Sequence, residues 1–228
     1  RDRNAHILNY KRTAELTAGK TPSGKVGYYV WKPYVILQTL LDESLPYDST
    51  ILVCTDAGIY FIADVAPLVQ RYMGQTDVSA CETPMLEGSF TKRDAFILLD
   101  ADSQAIMTSN QVATGFIMLR KTPLAIEFLK DWLRACEDPR IITEEPSALG
   151  FPDFGTFRAH NDDQSAFSLL FKKYGFVPFS TEERDLTIIA ARNLAKFKKA
   201  SDMFALGQSP TADDYISAAD AQAKSRAQ

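Results

Sequence analysis

Two apolar runs constrain this chain most. Ile51-Leu52-Val53-Cys54 and Thr114-Gly115-Phe116-Ile117-Met118-Leu119 are too short for helices, and the first is bounded by Asp48-Ser49 and Ala57-Gly58. Runs of that kind suit strands buried on both faces. Helical patterns surround them. Pro33 sits well in a first turn ahead of Tyr34, Leu37, Leu40 and Leu41, predicting a helix to about Asp42. Asp64 can cap a helix whose inner face is Val65, Leu68, Val69 and Tyr72, ending near Gly74. Thr91-Lys92-Arg93-Asp94 has capping-box-like spacing ahead of a helix over residues 92–99. Pro123 leads into a helix carrying Ile126, Leu129, Trp132 and Leu133. Asp163 to Tyr174 reads as another, closed by Gly175 and followed by an extended Phe176-Val177-Pro178-Phe179. Strand alternating with helix from residue 33 to 178 predicts an α/β sandwich with a mainly parallel central sheet.

The ends of the chain read differently. His6 to Tyr10 could form a short strand, and Thr17 to Gly24 reads as a loop. Leu186 to Phe204 can form a helix, and residues 208–228 are rich in Ala, Asp, Gln and Ser. The expected organisation is one domain over residues 1–180 and a helical C-terminal extension over 181–228. The chain starts at Arg1 without a methionine, which suggests a trimmed or internal fragment.

Composition removes some classes. Of 228 residues, 25 are Lys or Arg and 29 are Asp or Glu, a net charge of −4 that argues against a general nucleic-acid binder. No run of ~18 apolar residues is present to span a bilayer as a helix. Cys54, Cys81 and Cys136 are widely spaced with no CxxC, which suits buried thiols in a reducing compartment better than a disulfide or metal set. No GxGxxG follows a strand, so a Rossmann-type oxidoreductase is set aside.

Polar residues concentrate where strands end and helices begin. Asp56 follows the first run, and Trp31-Lys32-Pro33 opens the first helix, where free amides and Lys32 suit an anionic group. Tyr28, Tyr29 and Trp31 could stack on a base or sugar, or pack a loop on the core. His160, Asp162, Asp163 and Gln164 crowd into five residues at a helix start. There Asp163 could serve chemistry or simply favour the helix dipole, and His160 could be structural or meet metal or phosphate. Asp100-Ala101-Asp102 has the full Asp-x-Asp spacing of a divalent-metal motif, whereas Asp56 has Gly58 in the second place. Asp56 is preferred, because Asp100 follows a predicted helix and little chain separates Asp102 from the next strand.

Tyr29-Val30-Trp31-Lys32-Pro33, Thr55-Asp56-Ala57-Gly58, Thr91-Lys92 and Asp163-Gln164-Ser165, in that order, resemble a family of nucleotide-sugar glycosyltransferases with the GT-A fold, known mostly from bacterial surface-polysaccharide loci. The resemblance covers roughly Gly24 to Pro178. It implies a GT-A-like (Rossmann-like) three-layer sandwich that transfers a sugar from a nucleoside-diphosphate sugar, UDP-sugars first among them, to a glycan or glycolipid acceptor. It further implies a cytoplasmic enzyme with peripheral contact to a membrane, assisted by Mn²⁺ or Mg²⁺ held at Asp56. Tyr29, Trp31, Lys32, Lys92, His160 and Asp162 would then contact substrate. Retaining transferases of the glycogenin and lipopolysaccharide-galactosyltransferase type carry a similar Asp-Gln. That likeness places Asp163 at sugar hydroxyls and Gln164 beside the anomeric carbon. Retention follows if Gln164 acts there, since an amide cannot serve as a base; Asp162 or Asp163 as a base would give inversion. GT-A enzymes begin with a base-reading strand, which here only residues 6–10 could supply. A shortened N-terminus and the gap at Gly58 keep a non-catalytic nucleotide- or carbohydrate-binding module as the alternative.

Overall fold

The computed structural model describes residues 27–190. Its elements are α1 (Trp31–Leu40), β1 (Ile51–Thr55), β2 (Ile59–Phe61), α2 (Ala66–Met73), β3 (Val78–Leu86), α3 (Glu87–Phe90), α4 (Arg93–Leu98), α5 (Gln104–Met107), β4 (Asn110–Arg120), α6 (Pro123–Glu137), α7 (Pro139–Ile142), α8 (Asp162–Lys173), α9 (Thr181–Asp185) and β5 (Ile188–Ala190). A left-handed turn over Gly27–Tyr29 precedes α1. The chain forms two compact units. Among the described residues, one comprises 27–55 and 69–181, and the other 56–68 and 182–190.

In the first unit, β4 lies between β1 and β3, and both neighbours run antiparallel to it. Ile51 faces Arg120 and Thr55 faces Phe116 across the β1 pair, while Val78 faces Leu119 across the β3 pair. The expected mainly parallel sheet is therefore corrected to an antiparallel one. Burial reads from an apolar run; direction does not. The one parallel contact of this sheet among the described residues is the bridge between Cys81 and Phe179. β1 is also corrected: all five of its residues are half-buried, and among the described residues it pairs with β4 alone. β4 has two neighbours and is buried without interruption from Phe116 to Leu119.

Side chains alternate along the end of β4 and build two apolar layers. Ile117 and Leu119 join the main core with Leu37, Phe128, Trp132 and Phe167 from α1, α6 and α8. Phe116 turns to Phe179, which in turn meets Tyr72 of α2. α6 starts as predicted, with Pro123 in its first turn and the Thr122 hydroxyl accepting from the Ala125 amide at 3.1 Å. α8 ends on Gly175 at φ 70. The Gly175 amide donates to the Lys172 carbonyl and the Phe176 amide to the Phe171 carbonyl, the paired closure that a glycine after a helix makes possible. Phe176 thereby folds back against Phe128 and Phe171.

The predicted capping box does not form. Thr91 donates its hydroxyl back to Glu87, and Asp94 accepts from the Ala148 amide and the Ser147 hydroxyl, so neither side chain caps α4. Lys121 is buried beneath the end of α1, donating to the carbonyls of Asp42 and Leu45 at 2.7 Å each. A cation there complements the carbonyl-rich helix end.

The second unit holds a two-stranded antiparallel sheet in which Ile59 faces Ala190 and Phe61 faces Ile188. The helix predicted from Leu186 is thus corrected to a strand at Ile188–Ala190. Its continuation to residue 204, the 208–228 segment, the 6–10 strand and the 17–24 loop lie outside the described residues. No helix among the described residues is long and apolar enough to cross a membrane.

Candidate functional site

The start of α1 is built on strain. Gly27, Tyr28 and Tyr29 all have positive φ, at 56°, 51° and 60°. Glycine takes this conformation freely, whereas each tyrosine held there costs on the order of 1–3 kcal/mol. The turn closes with the Val30 amide donating to the Gly27 carbonyl at 3.0 Å, and it sends Val30 into the core. The ring of Tyr29 then stands edge-on to Trp31, 6.5 Å between centroids, and 5.5 Å from the Lys32 ammonium. Trp31 is 43% exposed. Lys32 points inward, where Nζ lies 3.4 Å from both the carbonyl and the hydroxyl of Thr114 on β4 and 3.8 Å from Asp163 Oδ2.

The start of α8 repeats the pattern. Asp162 has φ 44° and is buried, as are Asp163 and His160. Asn161 donates its amide to the Phe90 carbonyl and to Ser165 Oγ, which ties the loop before α8 to the end of α3. The Asp163 carbonyl accepts from the Trp132 indole at 3.0 Å, fixing this turn against α6. Gln164 is half-buried, and its Nε2 donates to Gln111 Oε1 at 2.7 Å.

Lys92 completes the group. Its backbone amide donates to His160 Nδ1 at 3.2 Å, which places the imidazole proton on Nε2. Its Nζ donates to the Glu145 carbonyl at 3.4 Å. Burial pulls the Lys92 amine below the ordinary lysine range, against the opposing pull of Asp94, Asp153, Glu145 and Asp138. Lys92 itself is buried.

Beneath lies a network that the sequence did not announce. Glu87 is fully buried and receives the Thr91 hydroxyl at 2.7 Å, the Ser168 hydroxyl and the Lys172 ammonium. Burial lowers the affinity of Lys172 for its proton, and Glu87 partly restores it. Gln111 connects this network to Gln164. The signal that could have found them is slight: Gln111 is one polar residue in a strand, and Glu87-Gly88-Ser89 reads as a turn. Gly88 is required there, since a Cβ would lie 2.6 Å from Met107 Cγ.

The remaining candidates lie on other segments. Asp56 belongs to the second unit, directly after β1, and its carbonyl accepts from the Ile59 amide in the turn to β2. Asp100 and Asp102 follow α4 rather than a strand. Asp102 pairs with Arg93 at 2.9 Å, and Asp100, 99% exposed, lies 3.7 Å from Lys173. Among the described residues no group of three or more His, Cys, Asp or Glu side chains gathers as a metal centre. One carboxylate at Asp56 suits Mn²⁺ or Mg²⁺ only where phosphate and water oxygens complete the shell. Two cavities of about 310 and 330 Å³ are lined around Lys172 and around Lys173. Neither includes Lys32, Lys92, His160, Asp163 or Gln164; convergence of polar groups is what marks this site.

No family model matches this sequence, and no curated protein matches it. Among solved structures, mouse xyloside xylosyltransferase 1 in its apo form is similar at a TM-score of 0.38 and 13% identity, over 88% of this chain and 67% of that chain. A likeness at that level carries no functional argument. The functional reading rests on the side chains.

What those side chains bring together is specific. Lys32, Lys92 and the 160–164 segment lie far apart in sequence, yet Lys32 reaches Asp163 and Lys92 reaches His160. The cluster offers cations, carboxylates that can accept hydrogen bonds from hydroxyls, and an amide whose carbonyl can face positive charge.

Proposed function

We propose that this protein is a glycosyltransferase that moves a sugar from a nucleoside-diphosphate sugar to a glycan or glycolipid acceptor with retention of configuration. One observation carries the reading: the Lys32–Asp163 pair, buried and 3.8 Å apart, joins two of the motif segments that carry the family resemblance. Lys32 neutralises phosphate charge, with Lys92 as the second cation. Asp163 and Asp162 accept hydrogen bonds from sugar hydroxyls, and His160 offers Nε2–H as a donor. Gln164 presents its carbonyl to the anomeric carbon as positive charge grows there. Tyr29 and Trp31 supply aromatic surface for the base or sugar. Asp56 is the proposed ligand for Mn²⁺ or Mg²⁺ on its place after β1; the roles of Lys32, Asp163 and Gln164 do not depend on it. A UDP-sugar is the first donor to try.

The test is direct. Purified protein is incubated with UDP-, GDP- and dTDP-sugars, with and without Mn²⁺, and donor loss is followed by chromatography. Transfer or slow donor hydrolysis that falls in Lys32→Ala and Gln164→Ala supports the enzyme. Nucleotide binding without turnover across donors and acceptors points to the binding module instead. A product whose anomeric proton is inverted by NMR overturns retention and promotes Asp163 to general base.

A further inference from the structure

We propose that Gln111 is a positioning residue that locks the side-chain amide of Gln164 with its nitrogen inward and its carbonyl oxygen outward. The inference rests on the role given to Gln164 above, and its structural part can be tested without that role.

Gln111 is fully buried on β4. Its Nε2 lies 3.2 Å from Glu87 Oε1, 3.3 Å from the Phe90 carbonyl, 3.1 Å from Thr91 Oγ1 and 3.4 Å from Ser165 Oγ. Two of these neighbours are hydroxyls that could have donated instead, but their protons are committed elsewhere. Thr91 donates to Glu87 at 2.7 Å, and Ser165 donates to the Phe90 carbonyl at 2.8 Å. All four neighbours therefore present lone pairs, and only the nitrogen of Gln111 can face them. A flipped Gln111 would set its oxygen against a carboxylate and a carbonyl at a fully buried position, which is costly in the interior.

With that end fixed, Oε1 of Gln111 must point the other way. It accepts from Asn161 Nδ2 at 2.8 Å and from Gln164 Nε2 at 2.7 Å. Gln164 cannot flip either, since its own oxygen would then meet the oxygen of Gln111. The orientation passes along a chain: the Lys172 ammonium and two hydroxyls hold Glu87, Glu87 orients Gln111, and Gln111 orients Gln164. The outward atom of Gln164 is thus a carbonyl oxygen, the end able to stabilise positive charge. Lys172 and Glu87 contribute without touching substrate.

The test uses Gln111→Met, which keeps side-chain length and removes both polar atoms. The Gln164 side-chain amide is assigned in ¹H–¹⁵N spectra by its loss in Gln164→Ala. In the wild type one Gln164 amide proton should exchange slowly with solvent; in Gln111→Met it should exchange at least about tenfold faster, as a lost internal hydrogen bond requires. Transfer should lose about tenfold in kcat with little change in donor KM, and Gln111→Met should add nothing further in a Gln164→Ala background. Should Gln111→Met not fold, Thr91→Val loosens the same lock and should split or broaden the Gln164 amide signal. An unchanged Gln164 signal in a folded variant overturns the proposal whether or not the protein is active. A changed signal in a protein that transfers no sugar upholds the lock and removes the glycosyltransferase reading.

Discussion

Replacing Lys32 with methionine keeps most of the side-chain stem and deletes the ammonium, leaving Asp163 to sit buried without that charge. The two side chains are 7% and 5% exposed, so solvent screens their attraction little. At the observed 3.8 Å, two unit charges attract by about 4 kcal/mol at an effective dielectric constant of ~20. Removing one member of a buried pair typically costs about 3–5 kcal/mol, because the remaining charge stays desolvated. The position of Asp163 in the first turn of α8 offsets a part of this, roughly 0.5–1 kcal/mol. Lys32→Met is therefore expected to lower stability by about 3 kcal/mol, and Asp163→Asn by a comparable amount. The double variant should cost clearly less than the sum, leaving a coupling energy of about 2–3 kcal/mol. Urea denaturation followed by tryptophan fluorescence reads all four proteins, and Trp132, bonded to the Asp163 carbonyl, reports on this turn. Single-variant costs that add to within about 0.5 kcal/mol would show that the pair does not interact energetically, and the charge argument for this site would fail.

Three further outcomes are expected. Lys172→Met, which strips the ammonium from the buried Glu87 carboxylate, should cost about 2–4 kcal/mol in thermal or urea denaturation, more than an exposed lysine would. Burial holds the Lys92 amine below its usual 10.5, so between its depressed value and 10.5 the folded protein has shed a proton that the unfolded chain still binds. Stability contributed by this group accordingly rises with pH across that window, and Lys92→Met should lack the rise when melting curves from about pH 8 to 10.5 are compared with wild type. Asp56→Ala should abolish Mn²⁺-dependent transfer with the fold intact by circular dichroism. Asp102→Ala, which breaks a pair with Arg93 beyond the end of α4, should leave it unchanged.

Helix boundaries were legible because they are set locally. Pro123 can occupy only a first turn, and Gly175 alone could take the left-handed conformation that closes α8 at low cost. Strand direction was not legible, since Ile51–Thr55 and Asn110–Arg120 carry the same apolar signal in either sense. β3 escaped notice for a related reason. Val78–Leu86 mixes Ser79, Glu82 and Thr83 with apolar residues and contains Pro84, which removes a ladder donor. The structure accommodates that proline at an exposed position within the second of two register shifts, between Glu82 and Leu86, where the pairing with β4 is broken. Thr91 and Asp94 had the spacing of a local cap, but Thr91 donates to Glu87 and Asp94 accepts from the Ser147 hydroxyl and the Ala148 amide. The Asp94 partners lie 53 and 54 residues away, outside any local window.

The candidate site divides along the same line. Trp31-Lys32-Pro33 and the 160–164 segment stood out because polar residues were dense where apolar helices begin, a one-dimensional property. Lys32 turns inward to meet Asp163 just after a turn in which Gly27, Tyr28 and Tyr29 have positive φ, and neither feature is visible in composition. Gln111 and Glu87 were silent for a deeper reason. Each is a single polar residue whose role depends on which end of it meets a donor or an acceptor, and those partners arrive from α3, α8 and the loop before α8. A buried amide with six possible partners has a defined orientation only once the fold has assigned every neighbouring proton. In this molecule the hydroxyls of Thr91 and Ser165 make that assignment, so the atom that Gln164 presents to a substrate is decided two hydrogen bonds away from it.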